Sequence, residues 1–287
     1  MTKFSFRQLL CSTKPTAPMI PRIPIVAGLV LATAQPQAAL MAAASPVPIV
    51  ISAATSLTKP LNFLALNFSK SDKSTVLRFN FGSSGTLKQQ IEKGAPVDVF
   101  LSAGEKQMNQ LERLGLIMGG TRRLIAGNQL VLVVPSSSSR RMLNFKDLAN
   151  SNIHRLAIGD STVPAGDYAR QALAYYKLTD VVKTKLVPMG SAQAVANAVA
   201  SGNVDAGIIY QSDAQNVPNL RITAAASKRS HTPIIYSAAV IRSTKHPQQA
   251  KAYVKSLTTP QASTVLRRYG LLAPSAMAST KAPAMNP

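Results

Sequence analysis

The sequence predicts an α/β protein of two lobes, each a mixed, mostly parallel sheet flanked by helices. Three observations point there. Short apolar runs of strand length alternate with stretches of helical periodicity roughly 10–15 residues long. Apolar residues make up 46% of the chain and charged residues 15%, enough for a sizeable core and too apolar for a disordered chain. The 287 residues also amount to two domains at about 150 residues each.

The first 45 residues stand apart from the rest. They carry Lys3, Arg7, Lys14 and Arg22 and no acidic residue. An apolar stretch over 23–32 follows, and then Ala32-Thr33-Ala34 and Ala42-Ala43-Ala44, both of A-x-A type. A basic start, a short apolar run and a small-residue site predict a cleaved secretory signal over 1–45, and hence a periplasmic protein. The apolar run is too short to span a bilayer.

The exported chain then reads in order. The run 49–53 is a buried strand. Leu57, Leu61, Leu64 and Phe68 fall at helical spacing. Leu77, Phe79 and Phe81 alternate with Arg78 and Asn80 as a half-buried strand. Leu87 and Ile91 mark a short helix that stops at Gly94, and a strand follows over 97–101. Met108, Leu111 and Leu114 mark a helix stopped by Gly115. Strands are predicted over 130–134 and 156–158. Ala169, Ala172, Leu173 and Tyr176 form a helix face, and Ala194, Val195, Ala198 and Val199 another, closed by Gly202. Strands over 206–210 and 234–241 and helices over 248–257 and 261–269 complete the fold. The strands near 130 and 236 are the natural crossovers. Lobe 1 is therefore expected over 46–128 plus 237–274, lobe 2 over 129–236, and a loose tail over 275–287.

Charge excludes less than it first suggests. Lys and Arg number 32 against 11 Asp and Glu, a balance of +21 that by itself points to nucleic acid or an anionic surface. The leader holds four of those charges, which leaves +17 on the exported part. The basic pairs Arg122-Arg123, Arg140-Arg141 and Arg267-Arg268 are dispersed, and no run reaches five. With aromatics at 5% and no Trp, a base-stacking platform is disfavoured, and no nucleic-acid partner is expected. Cys11 is the only cysteine, which excludes an internal disulfide and a CxxC metal site. His154, His231 and His246 lie far apart and in no catalytic motif. No cofactor, no bare metal ion and no enzymatic activity are expected.

Four strand-to-helix junctions share one character. They are Ala53-Ala54-Thr55-Ser56-Leu57-Thr58, Phe81-Gly82-Ser83-Ser84-Gly85-Thr86-Leu87, Val163-Pro164-Ala165-Gly166 and Met189-Gly190-Ser191-Ala192. Each sets small residues, often hydroxylic, just before a helix. A helix start offers unpaired N–H groups at the positive end of its dipole. Small side chains let an anion reach them. Taken singly, each junction reads better as an ordinary N-cap, and only the coincidence of all four weakens that reading.

The first three of these junctions carry a resemblance. With Gln90-Ile91-Glu92-Lys93-Gly94-Ala95-Pro96-Val97-Asp98-Val99-Phe100, Asp167-Tyr168-Ala169, Gly207-Ile208-Ile209-Tyr210-Gln211-Ser212-Asp213-Ala214 and Arg268-Tyr269-Gly270, they occur in order over about 48–272. In this the chain resembles the periplasmic molybdate-binding proteins, the solute receptors of molybdate ABC transporters. The resemblance implies a type II periplasmic-binding-protein fold that closes on a tetrahedral oxyanion. The expected ligand is molybdate or tungstate, and the expected partner is an ABC transporter membrane subunit served by a monomeric receptor. Carried over by motif, Ser56 and Ser84 give hydroxyl and N–H, Ala165 and Ala192 give backbone N–H, and Tyr210 gives its phenol. Ser83 supports the second turn. Two departures stand out: Thr55 replaces the family's usual Ala, and the surroundings of Ala192 are poorly similar.

Donors without acceptors suit a fully ionised dianion. Protonated phosphate carries an O–H that would go unpaired, at a cost of roughly 1–3 kcal/mol. Sulfate or thiosulfate is the nearest alternative ligand. A serine enzyme is the distant one: Ser56-Leu57-Thr58-Lys59 matches S-x-x-K, but Ala214 follows Ser212-Asp213 and no K-T-G occurs.

Overall fold

The computed structural model describes residues 45–139 and 144–274. The expected leader, apart from Ser45, and the expected tail lie outside these residues, as does the Arg140-Arg141 pair.

β1 (Val47–Ala54) passes through a 3-10 turn (Thr55–Leu57) into α1 (Thr58–Ser71). Pro60 is the third helical residue, where a missing N–H costs no intrahelical bond. β2 (Thr75–Gly82), α2 (Ser84–Glu92), β3 (Val99–Ser102), α3 (Glu105–Arg113) and β4 (Arg123–Gly127) follow. The chain then enters β5 (Leu130–Pro135), β6 (Leu156–Gly159), α4 (Pro164–Tyr175), α5 (Thr179–Val182), β7 (Leu186–Met189), α6 (Ala192–Ala200), β8 (Ala206–Tyr210), α7 (Gln211–Gln215) and β9 (Leu220–Ala225). β10 (Ile235–Val240), α8 (Pro247–Ser256) and α9 (Pro260–Arg268) close the described chain. α2 and α6 stop where expected, at Gly94 and Gly202, whose φ of +83° and +72° suits glycine best.

Two five-stranded sheets form, in the orders β2-β1-β3-β10-β4 and β7-β6-β8-β5-β9. The orders are equivalent: in each, a strand is flanked by its two successors, and the crossover strand comes fourth. Among the described residues four pairings are parallel and four antiparallel. Every antiparallel pairing involves β5 or β10, the strands that arrive from the other sheet. A strand entering by crossover is not returned by its own lobe's helix, so the parallel rule does not bind it. The chain leaves the first sheet after Gly127 and enters the second at Leu130; it returns to the first at Ile235. β3 and β5 are buried throughout, as central strands covered on both faces should be.

Three strands escape the sequence reading: β4, β7 and β9. All three are sheet edges. Their burial is incomplete, and β9 has no fully buried residue, so they lack a continuous apolar run. Among the described residues no helix is long and apolar enough to cross a membrane.

Candidate functional site

The carboxyl ends of six strands, the three parallel ones of each sheet, face one small cavity. From the first sheet come Thr55 and Ser56 after β1, Gly82, Ser83 and Ser84 after β2, and Ala103 after β3. From the second come Val163 and Pro164 after β6, Ser191 and Ala192 after β7, and Tyr210 at the end of β8. The strand ends of an α/β sheet are where ligands are expected. The cavity measures about 20 Å³, room for little more than one small ion. Among the described residues, none that lines it carries a charged side chain.

Two serines are held from behind by hydrogen bonds to their hydroxyl oxygens or protons. Ser84, fully buried at the start of α2, accepts the Ala103 N–H on its Oγ at 3.0 Å. Its own O–H is left for the cavity. Ser56 Oγ lies 3.0 Å from the Tyr236 hydroxyl. Tyr236 in turn accepts from Asn128 Nδ2 at 3.0 Å, and Asn128 also donates to Ser212 Oγ at 2.8 Å. With its oxygen satisfied, Tyr236 can donate to Ser56 Oγ, which again frees a serine proton. Burial pushes the Tyr236 phenol up, with the nearby Asp213 carboxyl adding to the shift, so it stays protonated for this task.

Ser83 serves the turn and not the cavity. It is the N-cap of α2, accepts the Thr86 N–H at 3.2 Å, and shares its proton with the hydroxyls of Thr86 (2.8 Å) and Thr162 (3.0 Å). Ser191 does the same for α6, accepting the Ala194 N–H at 3.0 Å. Ala192 is the first residue of α6 and lines the cavity, and its N–H is one that a helix cannot satisfy internally. Ala165 is the second residue of α4. It is buried and is not on the cavity lining, and its N–H also belongs to the unpaired first turn.

Tyr210 departs from expectation. It borders the cavity, but its hydroxyl donates to the Ala103 carbonyl at 2.8 Å. That carbonyl sits at a buried strand end and needs a donor. As placed, Tyr210 turns its oxygen and not its proton toward the cavity. Burial, then the neighbouring Tyr236 and Tyr168, push its phenol well up.

The S-x-x-K motif is not assembled for catalysis. Lys59 Nζ donates to the Asn216 carbonyl at 2.8 Å, while Ser56 faces Tyr236. A nucleophile without its base in hydrogen-bond reach is not activated. Among the described residues no group of His, Cys, Asp and Glu could hold a metal ion.

Sequence reasoning missed Asn128, Ser212, Tyr236, Ala103 and Thr162. Ser212 had a signal, its place inside the motif that ends β8. The others are brought in by packing over long sequence separations, 108 residues for Asn128 and Tyr236, and carry no local mark.

Two α/β lobes of equivalent topology with a small cavity between their strand ends define a two-lobed solute-binding protein. Residues 49–272 match the family described as bacterial extracellular solute-binding protein, and the chain belongs to that family. It is 34% identical to the molybdate-binding protein of Escherichia coli (strain K12), over 77% of this chain and 88% of that one. It is 31% identical to the molybdate-binding protein of Haemophilus influenzae, over 78% and 90%. A solved structure of the Azotobacter vinelandii periplasmic molybdate-binding protein shares the fold, with a TM-score of 0.71 over 79% of this chain and 99% of that chain, at 24% identity.

Proposed function

We propose that the chain captures molybdate, or tungstate, in the periplasm and delivers it to the membrane subunit of an ABC importer. It acts as a monomeric receptor without enzymatic activity and without a cofactor. In this reading 1–45 is a cleaved export signal. Two lobes, expected over 46–128 plus 237–274 and over 129–236, close on the anion; β10 begins at Ile235, so the return to the first lobe falls two residues before 237.

The observation that carries the reading is the cavity wall, which offers hydroxyl and backbone donors and no ionised side chain. Ser56 and Ser84 present freed protons, and α4 and α6 present first-turn N–H groups at Ala165 and Ala192. The donors sit where helix dipoles favour negative charge. Tyr210 joins them by rotating its hydroxyl from the Ala103 carbonyl to the anion. Two carboxylates beside the site are engaged elsewhere. Asp160 accepts the N–H and O–H of Thr162, and Asp167 pairs with Lys106 and Arg170. The described lining therefore holds no ionised acceptor for the proton of hydrogen phosphate, and an O–H left poorly paired disfavours that ligand by about tenfold. The cavity of about 20 Å³ also suits an inorganic ion and not an organic solute. The relatives named for molybdate binding point the same way.

Titration calorimetry with molybdate, tungstate, sulfate and phosphate tests this. Molybdate and tungstate should bind, with sulfate and phosphate at least tenfold weaker. Sulfate binding as tight as molybdate would replace the proposed ligand, and silence with all four would remove the function.

A further inference from the structure

We propose that Thr162 is a positioning residue for the anion: it latches the Ser83-Ser84-Gly85 turn of the first lobe to the second, and only a glycine at position 85 lets the latch engage. The inference rests on the proposed oxyanion capture but concerns a residue that does not line the cavity.

Two kinds of observation carry it. The first is hydrogen bonding between the lobes. Gly85 N–H donates to the Thr162 carbonyl at 2.9 Å, and the Ser83 hydroxyl donates to Thr162 Oγ1 at 3.0 Å. Thr162 is itself fixed, because its N–H and its hydroxyl both donate to Asp160 Oδ1 at 2.7 Å. An ionised carboxylate only accepts, so it takes the Thr162 proton and leaves Oγ1 as the acceptor for Ser83. Charge-assisted bonds of this kind are the stronger ones, and they hold Thr162 ready before the lobes meet.

The second observation is steric. A Cβ built on Gly85 would stand 2.4 Å from the Thr162 carbonyl oxygen and 2.8 Å from its Cα. Both are backbone atoms and cannot swing aside. The two lobes approach here more closely than any side chain at position 85 allows. Ser84 lies between the two latching residues and has its hydroxyl at the cavity. Fixing its neighbours on both sides holds Ser84 against the ligand.

The latch therefore acts on release more than on capture. An anion can meet the open lobes without Thr162, but it leaves faster when the turn is not pinned. The effect belongs in the dissociation rate, as most affinity differences between related complexes do.

The test uses the full exported chain, stopped-flow binding and small-angle scattering. Wild type, Gly85→Ala, Thr162→Val and Thr162→Ser are each run with molybdate, tungstate, sulfate and phosphate. The oxyanion that compacts the wild type is the probe. Gly85→Ala should lose at least 100-fold in affinity and keep its open scattering profile when the probe is added. Alanine is the better helix former in the first turn of α2, so the ligand-free melting temperature should hold or rise. Thr162→Val should speed dissociation about tenfold and leave association within twofold. Thr162→Ser, which keeps the hydroxyl, should match wild type. Gly85→Ala that binds and compacts like wild type overturns the proposal, and so does Thr162→Val with an unchanged dissociation rate. Wild type compacted by sulfate and not molybdate overturns the molybdate reading alone, and the latch is then judged with sulfate. Wild type that binds none of the four overturns both.

Discussion

The two lobes solve one problem with different chemistry. Their sheets have equivalent strand orders, and each presents three parallel strand ends to the same cavity. The first lobe lines it with the side-chain hydroxyls of Thr55, Ser56 and Ser84, while Ser83 there is occupied in capping α2. The second contributes Val163, Pro164 and Ala192, of which Ala192 has a first-turn N–H to offer; its one serine there is occupied in capping α6, and the Tyr210 hydroxyl is engaged by the Ala103 carbonyl. A hydroxyl can donate or accept according to its partners, so the first lobe needs a rear network to set its protons. A backbone N–H only donates and needs none. This is why Ser56 and Ser84 have partners behind them, Tyr236 and Ala103, while Ala165 and Ala192 rely on their place in a helix.

That difference predicts a ranking of substitutions. Ser84→Asp comes first. It places a carboxylate in a buried turn facing a dianion, and like charges in a dry site are costly. Calorimetry should register no molybdate binding, while circular dichroism keeps the wild-type spectrum. Binding at wild-type affinity would remove Ser84 from the site.

A matched pair comes next, one donor removed from each lobe. Ser84→Ala deletes the hydroxyl, and Ala192→Pro deletes the N–H. Proline suits the first helical position, and Ser191 before it already has φ −158° and ψ 158°, the extended backbone that proline demands. A hydrogen bond to a charged group is worth about 1.5–3 kcal/mol, so each variant should bind roughly 10- to 150-fold more weakly. The two differ in the ligand-free protein. Ser84→Ala strands the buried Ala103 N–H and should lower stability by about 1–3 kcal/mol in urea unfolding. Ala192→Pro should not. Equal stability losses would erase the distinction between networked and helix-held donors.

A buried carboxyl in each lobe sharpens the contrast further. In the first lobe Asp98 accepts the Val50 N–H at 2.7 Å and the Thr244 hydroxyl. In the second, Asp213 on α7 is buried with Oδ2 unpartnered, near the Tyr210 and Tyr236 phenols. Burial pushes its carboxyl up to about 7. The unfolded chain releases that proton near pH 3.9, whereas the folded chain keeps it to about 7. Between those values the folded state binds more protons, so its stability falls as pH rises from about 4 to 7 and is level above. The loss is on the order of 4 kcal/mol. Urea unfolding of Asp213→Asn across this range should show that slope removed. An unaltered slope would assign the pH dependence to another group.

How much of this the residues announce follows from the same physics. Central strands such as β3 and β5 are apolar throughout and are legible. The edges β4, β7 and β9 are half solvated and are not. The edge β2 is readable only because Leu77, Phe79 and Phe81 alternate cleanly. The turns holding Ser56, Ser84, Ala165 and Ala192 stand out because small residues precede a helix. Tyr210 reads locally as a core residue and enters only through resemblance. Its bond to Ala103 joins positions 107 residues apart, and no local pattern encodes it. The Asn128–Ser212–Tyr236 network is silent for the same reason.

The smallest expected effect tests the backbone half of the comparison most directly. Ala192→Gly changes a residue on the cavity wall yet keeps the N–H that the second lobe offers. Glycine in a helix interior costs up to about 1 kcal/mol relative to alanine, and the first helical position, flanked by the Ser191 cap, should feel less of it. Molybdate affinity should therefore stay within about twofold of wild type, against the 10-fold or greater loss for Ala192→Pro at the same position. A glycine variant as weak as the proline variant would mean that the alanine methyl shapes the cavity. The second lobe, like the first, would then read its ligand through side chains.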